Sequence, residues 1–329
     1  MKRLPGSILA VLSLLVLWSA GVPGQSRIPR LSDGKPDMQG YWTNQTFTPL
    51  ERPAQFKDKQ FFTVEEAEAF ARRALDDVKD VPRGAEVKSD ADIHYDDGIW
   101  LLEGYKKGAM LRTSIVTDPA DGRIPALSAE GQKRAQARAE ARKGIGPFDS
   151  AQARGLSERC IYWAHEGPPL MPTGYNSNLR IVQSPDSFVI IPEMNPAARV
   201  VPLDRRPHVG PPIRTLHGDS RGRWEDDTLV VETTNFTDRT AFRGSSEHMK
   251  VTERFTLVAA DMIRYQFTVD DPHTWTRPWS GEYQITRIPD GIYEYACHEG
   301  NYGMPNILKA QRLIEAQQAA QAPARATTP

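Results

Sequence analysis

Two cysteines, each followed at short range by a His-Glu-Gly triplet, carry the most reactive pattern in this chain. Cys297 runs directly into His298, Glu299 and Gly300, and Cys160 precedes His165, Glu166 and Gly167. Imidazole beside carboxylate can serve as a general base with its orienting partner. Two histidines and a carboxylate can also hold a divalent cation with open positions. A Cys160–Cys297 disulfide would set the Cα atoms about 5.5 Å apart, which places His298 beside the bridge and leaves His165 either within reach or away from it. The competing reading makes both histidines hydrogen-bonded packing around a crosslink. The catalytic candidates are therefore His298, Glu299 and His165, together with His217 from a second cluster.

That second cluster is Leu216-His217-Gly218-Asp219-Ser220-Arg221-Gly222-Arg223. Its glycines let backbone approach a ligand, and Arg221 and Arg223 have the fork geometry that grips a carboxylate or phosphate. The plainer alternative is a turn entering a strand, with Asp219 capping amides and the arginines paired to Glu225 or Asp226. No G-x-S-x-G elbow accompanies these residues. Aromatic side chains gather at Trp275, Trp279, Tyr283, Tyr293, Tyr295 and Tyr302. At a barrel mouth Trp275, Trp279, Tyr295 and Tyr302 could stack on an apolar or sugar-like ring; otherwise they are core.

These groups must be positioned by short strands. From Leu179 onward the chain reads as Arg180–Gln183, Phe188–Pro192, Arg199–Leu203, Arg223–Glu225 and Thr228–Thr234, separated by Pro, Asn and Asp turns. Thr228–Thr234 alternates apolar and polar residues, as a half-buried strand does. Val251–Val258 and Met262–Val269 flank Ala259-Ala260-Asp261 as a hairpin. Gly281–Ile288 and Ile292–Ala296 add two more strands around Pro289-Asp290-Gly291. Each strand has one apolar face, so the sheet must close on itself or stack. The expectation is a mainly β fold, an antiparallel lipocalin-like barrel or a curved sandwich, with peripheral helices. Gly40-Tyr41-Trp42 resembles the first-strand signature of lipocalin-type barrels, where the Trp plugs one end. Leu111–Asp118 also reads as a strand.

Three helices are expected. Thr63-Val64-Glu65-Glu66 is a capping box opening a helix to about Lys79. Ser128 caps another through Lys143, closed by Gly144. A last one covers Pro305–Ala320. Residues 82–97 read as an acidic surface loop. The organisation is then a signal peptide at 1–24, an extended region with helices packed on the barrel at 25–170, the antiparallel domain at 171–304, and a C-terminal helix with a disordered tail at 305–329.

The leader reading rests on Lys2 and Arg3, the apolar run Ile8–Trp18, and small residues at Val22-Pro23-Gly24. That run is shorter than the roughly 20 apolar residues of a membrane span. No integral membrane segment is expected once it is removed, and the location is periplasmic or secreted. In an oxidising compartment two cysteines most simply pair, and closing the loop would stabilise the fold by about 5 kcal/mol in the chain-entropy model. Buried free thiols, or a zinc site with His165 and His298, are the alternatives, and neither segment has the C-x2-C spacing of structural zinc. The chain is 25% charged with a formal net charge of −1, which leaves no electrostatic footprint for nucleic acid. The 24 glycines and 26 prolines favour many turns over a helical bundle. No nucleotide fingerprint or P-loop is visible, so no cofactor is named.

The run Gly218–Val231, with Asp33–Asp37, Asp118–Pro125, Asn235–Asp238 and Tyr293–Gly303, resembles an uncharacterised family of exported bacterial proteins. The resemblance spans most of the chain and implies an exported, β-rich protein; it brings no activity or cofactor with it. Two functions follow from the residues. The first is an exported protein binding a small, partly apolar ligand in or near a barrel. The second is a His/Glu-based hydrolase, lyase or isomerase, with or without a metal. A binder requires an enclosed apolar cavity with the histidines pointing away from it; an enzyme requires two or more of the histidines and a carboxylate converging on one cleft.

Overall fold

Strand alternation becomes a barrel wall in the computed structural model, which describes residues 28–77, 111–163, 166–173, 176–194, 197–240 and 242–321. The leader expected at 1–24, the loop at 82–97, His165 and the tail beyond 321 lie outside the described residues. Ten antiparallel strands form one sheet. They are β1 (Gly40–Thr43), β2 (Val116–Asp118), β3 (Asn178–Gln183), β4 (Ser187–Pro192), β5 (Arg199–Pro202), β6 (Asp219–Glu225), β7 (Thr228–Thr234), β8 (Lys250–Ala259), β9 (Met262–Asp270) and β10 (Trp279–Arg287). Their order is β5-β4-β3-β1-β10-β9-β8-β7-β6, with β2 sharing an edge of β10 beside β1.

The register puts the apolar alternates of neighbouring strands on one face. Phe255 faces Tyr265, Tyr265 faces Tyr283, and Leu257 faces Ile263, all within 4% of full burial. Phe188, Ile190, Val201, Leu229 and Val231 close the same interior from the other strands. Trp42 is fully buried, its Nε1–H donating to Met38 O at 2.9 Å, with the Arg287 guanidinium 4.2 Å above its ring. The end strands β5 and β6 meet without a hydrogen-bond ladder. A side chain at Gly222 of β6 would bring its Cβ within 2.5 Å of Leu203 and 2.9 Å of Val201, so the glycine lets the two edges touch and the barrel nearly closes.

Helices sit outside this wall. α1 (Val64–Asp77) begins with the expected reciprocal cap: Glu66 N donates to Thr63 Oγ1 at 3.3 Å and Thr63 N to Glu66 Oε2 at 2.8 Å. α2 (Ala129–Ala141) is capped by Ser128, which accepts from Gly131 N at 3.0 Å. α3 (Cys297–Gly300) is a single turn, and α4 (Gly303–Gln321) closes the described chain.

Two expectations shift. Ile292–Ala296 is not a strand, because β10 already pairs with β9 on one side and with β1 and β2 on the other, leaving no edge for a following hairpin arm. The chain leaves the sheet instead and crosses toward Glu193, whose Oε1 accepts from Tyr293 N at 3.1 Å. Of Leu111–Asp118 only Val116–Asp118 joins the sheet, at a bulge in β10 beside Gly281, while Arg112 makes a single bridge to Phe61. The sheet draws β1 and β2 from the region before residue 171.

Candidate functional site

Glu166 through Leu170 are all buried, and Leu170 is bonded within the barrel mouth. Gly167 allows the sharp entry, with φ +72° and no room for a side chain against Pro169 and Leu170. Burying this backbone requires partners. The barrel supplies them for Leu170, whose N–H donates to Tyr265 Oη and whose carbonyl accepts from Tyr283 Oη, both at 2.9 Å. Tyr265 passes its own proton to Glu253 Oε1 at 2.8 Å. Glu253 is held from β5 by Arg199, Nη1 at 2.8 Å and Nη2 at 3.0 Å, a bidentate pair with side chains 5% and 0% exposed. Burial opposes the Arg199 charge, but Glu253 outweighs it and holds the guanidinium above its usual range. Tyr265 and Tyr283 are pushed up, first by burial and then by the Glu253 charge.

At the rim, Glu166 folds back on its own turn and accepts from Trp163 N at 2.9 Å. Its other oxygen lies 2.6 Å from His217 Nε2. A carboxylate only accepts, so the Nε2 that faces it carries a proton, and Nδ1 is the second nitrogen of the ring. The imidazole is 25% exposed while the carboxylate is fully buried. The Tyr162 ring lies 5.3 Å from it, and the phenol is pushed upward by burial and by Glu166, with Arg199 acting the other way.

The crosslink frames a separate cleft. Cys160 and Cys297 are disulfide-bonded, Cα atoms 5.8 Å apart. Beside them lies a hollow of about 390 Å³, with Ser157, Glu158 and Trp163 on one wall and Tyr295, Ala296 and Asn301 on the other. Trp163 and Tyr295 meet edge to face, centroids 6.3 Å apart and planes at 89°. Asn301 Nδ2 ties the walls together by donating to Glu158 O at 2.9 Å. No histidine is among its described lining residues.

The candidates thus separate. His217 pairs with Glu166, not with His298. His298 and Glu299 stand exposed on α3 beside the bridge. Arg221 is committed to Asp219 Oδ1 at 2.7 Å and to Pro207 O at 3.0 Å. Arg223 pairs with Glu225 at 2.8 Å. Asp219 also accepts from His208 Nδ1 at 2.8 Å and Val209 N at 3.0 Å, so it anchors the proline-rich loop, the plainer of the two readings of that turn. Trp275 and Trp279 are core, Trp279 stacking on Phe242 at 6.2 Å. Tyr302 is 73% exposed, and Tyr295 alone of these aromatics lines the cleft. Among the described residues no three of His, Cys, Asp and Glu come together as a metal-binding set. No described helix is long and apolar enough to cross a membrane.

No family model, curated protein or solved structure matches the chain. Trp163, Arg199 and Glu253 are the residues the motif reading passed over, and it paired Glu166 with His165 and not with His217. Glu253 had a signal: in Val251-Thr-Glu-Arg-Phe255-Thr-Leu257 it occupies an apolar alternate, where a carboxylate needs a buried cation.

Proposed function

We propose that this is an exported protein that binds a small, partly apolar, ring-bearing molecule in the cleft beside the Cys160–Cys297 bridge. The observation that carries the reading is a hollow of about 390 Å³ walled by the Trp163 and Tyr295 rings, with backbone and amide groups at its margin. Such a volume falls within the range of small-molecule sites, which combine aromatic walls with a few polar groups. The barrel interior is a weaker place for a ligand, because its described positions are filled by Phe255, Tyr265, Tyr283 and the Glu166–Leu170 segment. Export is supported by the leader pattern, by the disulfide, and by the resemblance to an exported family.

Saturation-transfer NMR with phenol, indole and methyl glucoside tests the binding. At least one probe receives transfer from the parent protein and loses it in both Trp163→Ala and Tyr295→Ala. Transfer to none of them, or transfer unchanged in both variants, refutes the reading. Cleavage near residue 24, read from the mass of the product secreted by a bacterial host, tests export.

The His217–Glu166 pair favours a second reading, an acid–base enzyme of hydrolase, lyase or isomerase type. A buried carboxylate that fixes the ring is what a general base needs. Turnover of p-nitrophenyl acetate above background, lost in His217→Asn, tests the hydrolase form of it.

A further inference from the structure

The chain beyond β10 is attached to the barrel in an unusual way. From Ile288 to Gln321 no residue is buried, and the last buried side chain before this arm is Ile285. Neither α3 nor α4 contributes a buried residue. Burial of apolar surface is the main force that docks one element on another, and here it is only partial: Ile292, Tyr295, Met304 and Leu308 are half-buried, with the Tyr295 ring edge to face against Trp163. The remaining ties are scattered polar contacts. Ile288 N donates to Tyr41 O at 3.0 Å, Tyr293 N to Glu193 at 3.1 Å, Asn301 to Glu158 O at 2.9 Å, and Arg312 to Phe148 O at 2.9 Å. Each of these exchanges readily for water. The one strong attachment is covalent, Cys160–Cys297.

The same bond is where the ligand cleft is assembled. One wall, Ser157 to Trp163, belongs to the segment that continues into the barrel mouth. The other, Tyr295 to Asn301, belongs wholly to the arm. The cleft exists only while the arm is docked.

We propose that the Cys160–Cys297 bond is a redox gate for this cleft: reduction undocks the arm, parts the two walls and abolishes the ligand site, while the barrel stays folded. The chemistry is thiol–disulfide exchange with a dithiol. The first thiolate attacks one sulfur and expels the other as a thiolate; the second closes the reductant into a cyclic disulfide and releases the remaining cysteine. Two electrons and two protons pass to the protein, leaving two free thiols. Both cysteines line the cleft, Cys160 buried and Cys297 half-buried, so a small reductant approaches from the Cys297 side.

This gate rests on the binding reading above, and the experiment separates the two. Hydrogen exchange by mass spectrometry is compared for oxidised protein, for protein treated with dithiothreitol, and for the Cys160→Ser/Cys297→Ser variant without reductant. Amides of residues 289–321 exchange about tenfold faster or more in the last two samples, while β8, β9 and β10 keep their protection. The double variant no longer responds to reductant. Phenol, indole and methyl glucoside then report the cleft, and saturation transfer from the oxidised form disappears on reduction. An arm equally protected after reduction overturns the gate. So does a barrel that loses protection together with the arm, because the bond then stabilises the whole fold. Transfer retained in the reduced form overturns it as well. Transfer absent from both forms overturns the binding reading and with it the gating of a ligand, while the exchange data still decide whether the arm is released.

Discussion

Replacing Arg199 by Met tests the buried centre of the barrel. Three hydrogen bonds reach the Glu253 carboxylate from the described residues: Arg199 donates two and Tyr265 the third. With the guanidinium gone, a carboxylate with 0% side-chain exposure keeps a single donor. Breaking one partner of a buried pair costs about 3–5 kcal/mol. Protonation sets a ceiling, at about 1.4 kcal/mol per pH unit above the ordinary glutamate value of about 4.3, hence about 3.7 kcal/mol at pH 7. The expected loss is thus about 3–4 kcal/mol at pH 7. The stranded carboxyl binds a proton more readily in the folded chain than in the unfolded one, so the variant regains stability as pH falls. At pH 5 the ceiling is about 1 kcal/mol by the same arithmetic. Urea unfolding followed by tryptophan fluorescence at both pH values reads the difference against the parent protein. The double variant Arg199→Met/Glu253→Leu removes the stranded charge and returns to within about 2 kcal/mol of the parent. A single-variant loss below about 1 kcal/mol at pH 7, or one that does not shrink toward pH 5, refutes the reasoning.

Gly131→Ala inverts the usual helix rule: alanine inside a helix normally gains about 1 kcal/mol over glycine, but here its Cβ would press on the Thr274 carbonyl, and thermal denaturation shows a lower Tm. Gly222→Val forces β5 and β6 apart against Leu203 and Val201 and costs about 1–3 kcal/mol in urea titration. Tyr162, Tyr265 and Tyr283 are all raised by burial, so their contribution is whole below about pH 10 and is lost as pH climbs from there toward their folded values. An unfolding series from pH 8 to 11.5 shows that decline, and Tyr283→Phe flattens it.

The barrel was legible because its signal is local. Ile263, Tyr265, Phe267 and Val269 alternate along the chain and are buried together in the structure. The caps at Thr63 and Ser128 are equally local, each a hydroxyl or carboxylate within three residues of its partner. The bridge was legible because two cysteines behind a leader-like N-terminal pattern leave few choices. The site was not, since its contacts join positions far apart in sequence. Glu166 reads next to His165, yet it meets the imidazole of His217, 51 residues on. Trp163 and Asn301 become cleft walls only through a crosslink spanning 137 residues. Ile292–Ala296 has strand composition, and nothing in its composition reveals that both edges of β10 are already taken.

β1 lies between β3 and β10, pairing Trp42 with Leu179 on one flank and with Arg287 on the other. It is a keystone of four residues joining two meanders, β3 to β5 and β6 to β10. The first strand to leave the ribosome therefore waits for nearly the last before it is flanked on both sides, a long-range closure of the kind that makes folding slow. A chain trimmed past Thr43 would be left as two separate ribbons, each with a raw edge open to foreign strands.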